Sequence, residues 1–346
     1  MFGAVVNDGE KGSIMISGNT AKYSRALRTA GTIVLALSVS VTNVPLVAEV
    51  DFSGQWAPRY HEDWQERLPG PYVSDYSGMP INAAARAKGD AWEESVVTEP
   101  ERQCVPHPFP YNLHGPANLR IWPEDNPNTG QPLAWKMWGT FGRATHTVWM
   151  DGRPRPSKYA MNTWEGFTTG HWEGDTLVTF TDHVKVGYLR RNGIPTSDQT
   201  TVTEHWMRHG DVLTVNVIVY DPIYLTEPYI RTTDFQYDPA QPVALPQPCE
   251  PVIEILRPPG AVPHFLPGTN PSLDELTHMT NIMPEAARGG AETMYPEYRK
   301  KLKEKYVAPE KCERFCCGWV APLPNGIPPG LNCNEYGFVP PATNKQ

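Results

Sequence analysis

Eight side chains able to move protons or hold anions fall in pairs within one stretch of the chain: Arg143 and His146, Asp182 and His183, Arg190 and Arg191, Glu204 and His205. A histidine beside a carboxylate is a tunable general base, and an arginine holds a carboxylate or enolate oxygen. The set predicts proton transfer, with His146, Asp182, His183 and Glu204 as acids or bases and Arg143 and Arg190 as substrate-holding cations. Trp149, Trp164, Trp206 and Tyr220 add flat apolar surface for a substrate. The competing role for neighbouring polar residues is structural. Asp151 and Asp175 are turn formers, Asp221 precedes Pro222 at a strand end, and Arg153 pairs locally.

Positioning these groups requires strands. Gly170-His171-Trp172-Glu173-Gly174-Asp175 is a turn cluster that opens into the β-rich run Thr176 to Thr181. Asp151-Gly152 and His209-Gly210-Asp211 are two more tight turns, and the three together predict consecutive hairpins. Leu213, Val215, Val217 and Val219 alternate along one strand face. In the preceding strand Val202, Glu204, Trp206 and Arg208 share a face, a mixed surface of the kind that lines a ligand cavity in a barrel. The fold class expected is all-β with minor helix: an antiparallel, lipocalin-like meander over 134–237, curled into a barrel or half-barrel. Residues 100–132 read as an extended loop, Val252 to Leu256 as a strand, and Ile81–Glu94, Ser272–Ile282 and Pro296–Tyr306 as short helices.

Composition bounds the partners. A net charge of -8 with no basic patch argues against nucleic acid, while 37 prolines and 28 glycines fit short strands joined by rigid loops. Eleven tryptophans and fifteen tyrosines exceed what a core of this size needs, which favours a hydrophobic or aromatic small molecule as partner.

The amino terminus predicts export. Lys22, Arg25 and Arg28 precede the apolar run Thr32 to Val47, which closes on Leu46-Val47-Ala48, so 1–48 reads as a signal peptide with 1–14 as an over-extended start. The run is short and too rich in Ser, Thr and Asn for a span of roughly 20 apolar residues, so no stable membrane insertion is expected after cleavage. The mature chain, 49–346, is expected to be periplasmic or secreted: one β-rich domain with a Cys-rich tail over 307–346.

Cysteine usage points the same way. Cys104, Cys249, Cys312, Cys316, Cys317 and Cys333 are even in number and lie outside the signal, which predicts disulfides with the pairing left open. Adjacent Cys316 and Cys317 should reach different partners. A zinc site there lacks paired C-x-x-C spacing, and C-x-x-C-H for covalent haem is absent. His183, His205 and His209 lack the i, i+2 spacing of a preformed strand chelate, so no metal is expected. Nucleotide-binding and α/β-hydrolase motifs are also missing, leaving acid–base chemistry with no cofactor.

Asp51-x-Ser53-Gly54-x-Trp56, Gln103-Cys104-x-Pro106, Asp151-Gly152-Arg153-x-x-Pro156 and Gly170-x-Trp172-Glu173-Gly174-Asp175-Thr176-Leu177-Val178 together resemble a group of secreted bacterial proteins with no assigned activity. The resemblance spans 51 to about 237 and implies export and a β-rich fold. Three functions stay open: a cofactor-independent lyase, isomerase or hydrolase; a lipocalin-like carrier; and an envelope module binding glycan or protein.

Overall fold

The computed structural model describes residues 50–59, 71–109, 111, 118–139, 144–240 and 249–307. The signal segment, Arg143, Cys312, Cys316, Cys317 and Cys333 lie outside them.

The protein is mostly β, built on a closed barrel of nine strands. In chain order the elements are β1 (Gly54–Pro58), α1 (Ala83–Asp90), a 3-10 turn (Glu94–Thr98), α2 (Pro100–Gln103), β2 (Leu119–Asp125), β3 (Pro132–Gly139), β4 (His146–Trp149), β5 (Phe167–Glu173) and β6 (Thr176–Asp182). There follow β7 (Gly187–Arg190), β8 (Ile194–Thr196), β9 (Thr201–His209), β10 (Val212–Tyr220), β11 (Tyr229–Tyr237), α3 (Glu275–Thr280), α4 (Pro284–Ala287) and α5 (Pro296–Lys305). Around the barrel the order is β1, β11, β10, β9, β6, β5, β4, β3, β2, and β2 pairs with β1 to close it. β7 and β8 form a separate two-stranded ribbon between β6 and β9.

Period-two alternation produces the closed wall. In β10, Leu213, Val215, Val217 and Val219 are buried, and register carries this face around the ring: Val215 opposes Trp206, Val217 opposes Glu204, and Leu177 and Thr179 of β6 oppose Trp206 and Glu204 from the other side. Tight turns at Gly174 and Gly210, both at positive φ, join β5 to β6 and β9 to β10. That end of the barrel is filled with aromatic rings. Phe52 stacks on Trp172 at 5.7 Å and meets Trp135 and Trp206 edge-on at 5.7 and 6.4 Å. Each such ring, fully buried, contributes about 1.5–3 kcal/mol from lost water contact.

Among the described residues, long connections gather at the opposite end: 71–109, 183–200 and 221–228. Asp221 ties two of them together. It is buried and accepts from the Ser197 amide (2.6 Å), the Ser197 and Thr200 hydroxyls (3.0 and 2.9 Å), and the Ile223 and Tyr224 amides (2.9 and 3.1 Å).

The structure departs from sequence expectation in three places. β4 and β5 run parallel, so Asp151-Gly152 is no hairpin turn; residues 150–166 instead carry the chain back to the loop end. The barrel also recruits β1 and β2 from outside 134–237. β2 hides in a proline-rich stretch because Pro123 lies past the last residue that β1 reaches, Ile121, where its missing N–H costs nothing. Val252 to Leu256 forms no strand: a closed ring offers no edge, and Gln103 bonds the Val252 N–H and carbonyl in its place, each at 2.7 Å.

Candidate functional site

Glu204 is the most constrained acid of the barrel. It is 0% exposed at the middle of β9. Its Oε2 accepts from the Thr179 hydroxyl at 2.7 Å and from the Trp206 indole N–H at 3.1 Å, and Oε1 has no hydrogen-bond partner. Burial pushes the carboxyl above the usual range, against the opposing pull of His146 and of the two donors. Glu204 is therefore biased towards its neutral acid form.

His146, at the start of β4, is 6% exposed and shares the interior with Met137 opposite. Its Nδ1 lies 3.3 Å from Glu165 Oε2, near enough for an ion pair, although the angle is not that of a hydrogen bond. Glu165 arrives on the returning segment 150–166. Phe109 covers the imidazole from the loop side and fixes its own chain by donating its amide to the Trp164 carbonyl at 3.1 Å.

Beyond this covering strip opens a pocket of about 1120 Å³ outside the barrel wall, lined by Trp92, His107, Trp164, Tyr188, Arg191 and His264 among others. His107 Nδ1 and the Tyr188 hydroxyl share a hydrogen bond. Tyr111 packs edge-on to Tyr188 at 5.2 Å and against the His107 ring at 4.9 Å. Burial pushes the Tyr188 phenol well up, and the neighbouring Tyr111 adds to this, while Arg191 and Arg102 pull the other way. It is held as a proton donor. Val262, Pro263 and His264 of the lining end a strap, residues 249–264, fastened by the Cys104–Cys249 disulfide, by Gln103 to Val252, by Arg257 to the Ser95 carbonyl and Thr98 hydroxyl (2.7 and 2.8 Å), and by bridge pairing of Trp92 with His264.

The expected catalytic residues separate into two groups. His146 and Glu204 point into the barrel, and Glu204 feels the charge of both His146 and Glu165. Asp182 and His183 end β6 on its outward side. There Asp182 binds Arg155 (2.8 and 2.7 Å) and His183 (2.6 Å), and the second His183 nitrogen faces the Ser157 carbonyl at 2.9 Å. This cluster is a clamp on segment 150–166, since Arg155 also donates to Thr169 and to the Phe167 carbonyl.

The expected substrate-binding residues scatter as well. Trp206 is core, Arg190 is buried in the β7–β8 ribbon, Tyr220 is exposed on the outer face, and Trp149 lies outside the barrel under Arg153, which pairs with Asp151. Trp164 alone of that set lines the pocket. Sequence reasoning passed over His107, Tyr111, Glu165 and Tyr188. The first two sit in a proline-rich stretch without period, and nothing local marks Glu165 as the neighbour of His146. Among the described residues no three His, Cys, Asp or Glu side chains gather as metal ligands.

Comparison with protein-family models, with curated proteins and with solved structures finds no match to the chain.

Proposed function

We propose that this protein binds a hydrophobic or aromatic small molecule in the loop-end pocket and acts on it by proton transfer from its own side chains. The observation that carries the reading is the His107–Tyr188 hydrogen bond on the wall of a pocket whose other surfaces include Trp92, Trp164, Val96 and Val262. A phenol kept protonated by burial donates its proton to an oxyanion or enolate as it forms, and the His107 ring, entering the step as imidazolium, hands its own proton to the phenolate and is recharged from solvent. Lyase, isomerase and hydrolase chemistry all use that step. The reading keeps the protein exported, on the strength of the basic and apolar amino-terminal segment and the Cys104–Cys249 disulfide.

A carrier is the second reading, favoured by a pocket lining that includes neither His146 nor Glu204. One experiment separates the two. A panel of aromatic esters, lactones and β-hydroxy ketones is assayed for binding by calorimetry and for turnover. Turnover that falls about 10²-fold or more in Tyr188→Phe, with binding retained, supports the enzyme. Binding without turnover supports the carrier, and no binding overturns both.

A further inference from the structure

Away from the pocket, the outer wall of the barrel carries an apolar face. Strand register places Phe180 of β6, Thr203 of β9, Ile218 of β10 and Ile230 of β11 side by side, one residue per strand. All four point outward, because the residues before and after each of them are buried. Phe180 and Ile230 end the row at 39% and 60% exposure; Tyr220, two residues on from Ile218, is 53% exposed, and Ile223 beyond it 42%. A second row, His205, Asn216 and Thr232, runs beside the first and holds no carboxylate, lysine or arginine. At the edge of the face, Arg155 lies 4.6 Å from the Phe180 ring and is neutralised by Asp182.

Area and charge decide what such a face meets. Its four exposed apolar side chains leave about 400 Å² in water, at the upper end of what a monomer shows, and the polar rows bring it towards the roughly 800 Å² per partner of a standard interface. The chain has a net charge of -8, so two copies repel except where uncharged surfaces meet. The two rows offer such a surface, and they lack the lysines and arginines that would draw the protein to an anionic membrane. The face is also self-complementary. A two-fold axis parallel to the strands, between β9 and β10, sets Phe180 on Ile230 of the partner subunit, Thr203 on the partner's Ile218 and Asn216 on the partner's His205. Apolar ends then meet apolar ends, and an amide meets an imidazole.

We infer that the outer wall of β6, β9, β10 and β11 is a self-association face, on which a second copy of this chain docks about that axis. The exposed apolar residues of the strap, Ile253, Ile255 and Leu256, make no comparable face: they lie on irregular chain and are interrupted by Glu254 and Arg257.

Sedimentation equilibrium on the full chain tests this. At about 20 μM the protein should be mainly dimer, with a dissociation constant in the low micromolar range or below. Ile230→Lys, at one end of the row, and Thr203→Lys, near its middle, each bring a charge from both copies into the contact. Each should weaken the dimer about tenfold or more, with thermal melts unchanged. Leu256→Lys, on the strap, should leave the dimer intact. A protein that stays monomeric at this concentration, a dimer that survives both wall variants, or one that is lost in Leu256→Lys overturns the proposal.

Discussion

Phe109 lies face to face on the His146 imidazole, with ring centroids 4.4 Å apart and planes within 4°. The contact covers the imidazole from the loop side, where Pro108 and Trp164, next in sequence to Phe109 and Glu165, line the pocket. On one side His146 neighbours Glu165 and senses Glu204; on the other, His107 and Tyr188 face the cavity.

Glu204 should make stability depend on pH in a definite direction. Its folded pKa is raised by burial, so its contribution is fully present below the unfolded value of about 4.3 and is lost as pH rises through the folded value. Glu204→Gln keeps the shape and removes the titration. Thermal melts from pH 4 to 9 should show the variant gaining on the wild type as pH rises. Glu204→Leu should show the same pH trend but lie about 1–3 kcal/mol below Glu204→Gln at every pH, because the Thr179 hydroxyl and the Trp206 N–H lose their acceptor.

The Arg155 clamp should have a two-sided pH window. Burial opposes ionisation of Asp182, but hydrogen bonds from Arg155 and His183 outweigh it and lower the pKa; the Asp182 bond raises that of His183. The Asp182 part is present above about 3.9 and lost as pH falls through the lowered folded value. The His183 part is present below about 6.5 and lost as pH climbs through the raised one. Protection of the 150–166 amides relative to intrinsic exchange should be greatest between these limits. Arg155→Met should speed exchange throughout, and a segment that exchanges no faster in the variant would show that the clamp does not hold it.

Cys104 and Cys249 are 145 residues apart, so their bond constrains a long loop of the unfolded chain. Replacing both by serine should cost about 2–5 kcal/mol in denaturant unfolding. The pocket strap should suffer more than the barrel: proteolysis should cut within 249–264 before it cuts any barrel strand.

Alternation was the readable part of this fold. β9 and β10 stand out because their interior residues recur at period two, and Gly174 and Gly210 mark their turns or those of their neighbours. β2 escaped notice since Pro123 and the flanking prolines mask a sound alternation of Leu119 and Ile121. Of the site, Glu204 announced itself as a polar residue on an alternating strand face and His146 as a histidine beside Arg143. His107 and Tyr188 did not, because residues 81 apart in sequence meet only through tertiary packing that no local pattern records. Asp182 and His183 looked catalytic in sequence for the same reason that they make a good clamp: adjacent residues with complementary protons bond each other readily.

The number of strands decides where Glu165 stands. Walking once around a ring of nine, direction reverses at each antiparallel neighbour, and an odd ring cannot return to its starting direction by reversals alone. At least one neighbouring pair must agree in direction; here it is β4 with β5. A chain that leaves β4 at the tight-turn end has to climb back along the outside before it can enter β5. Residues 150–166 make that climb under the grip of Arg155, and the last of them to arrive are Trp164, at the pocket, and Glu165, at His146. An even barrel could dispense with the climb, and with it the carboxylate beside the buried imidazole.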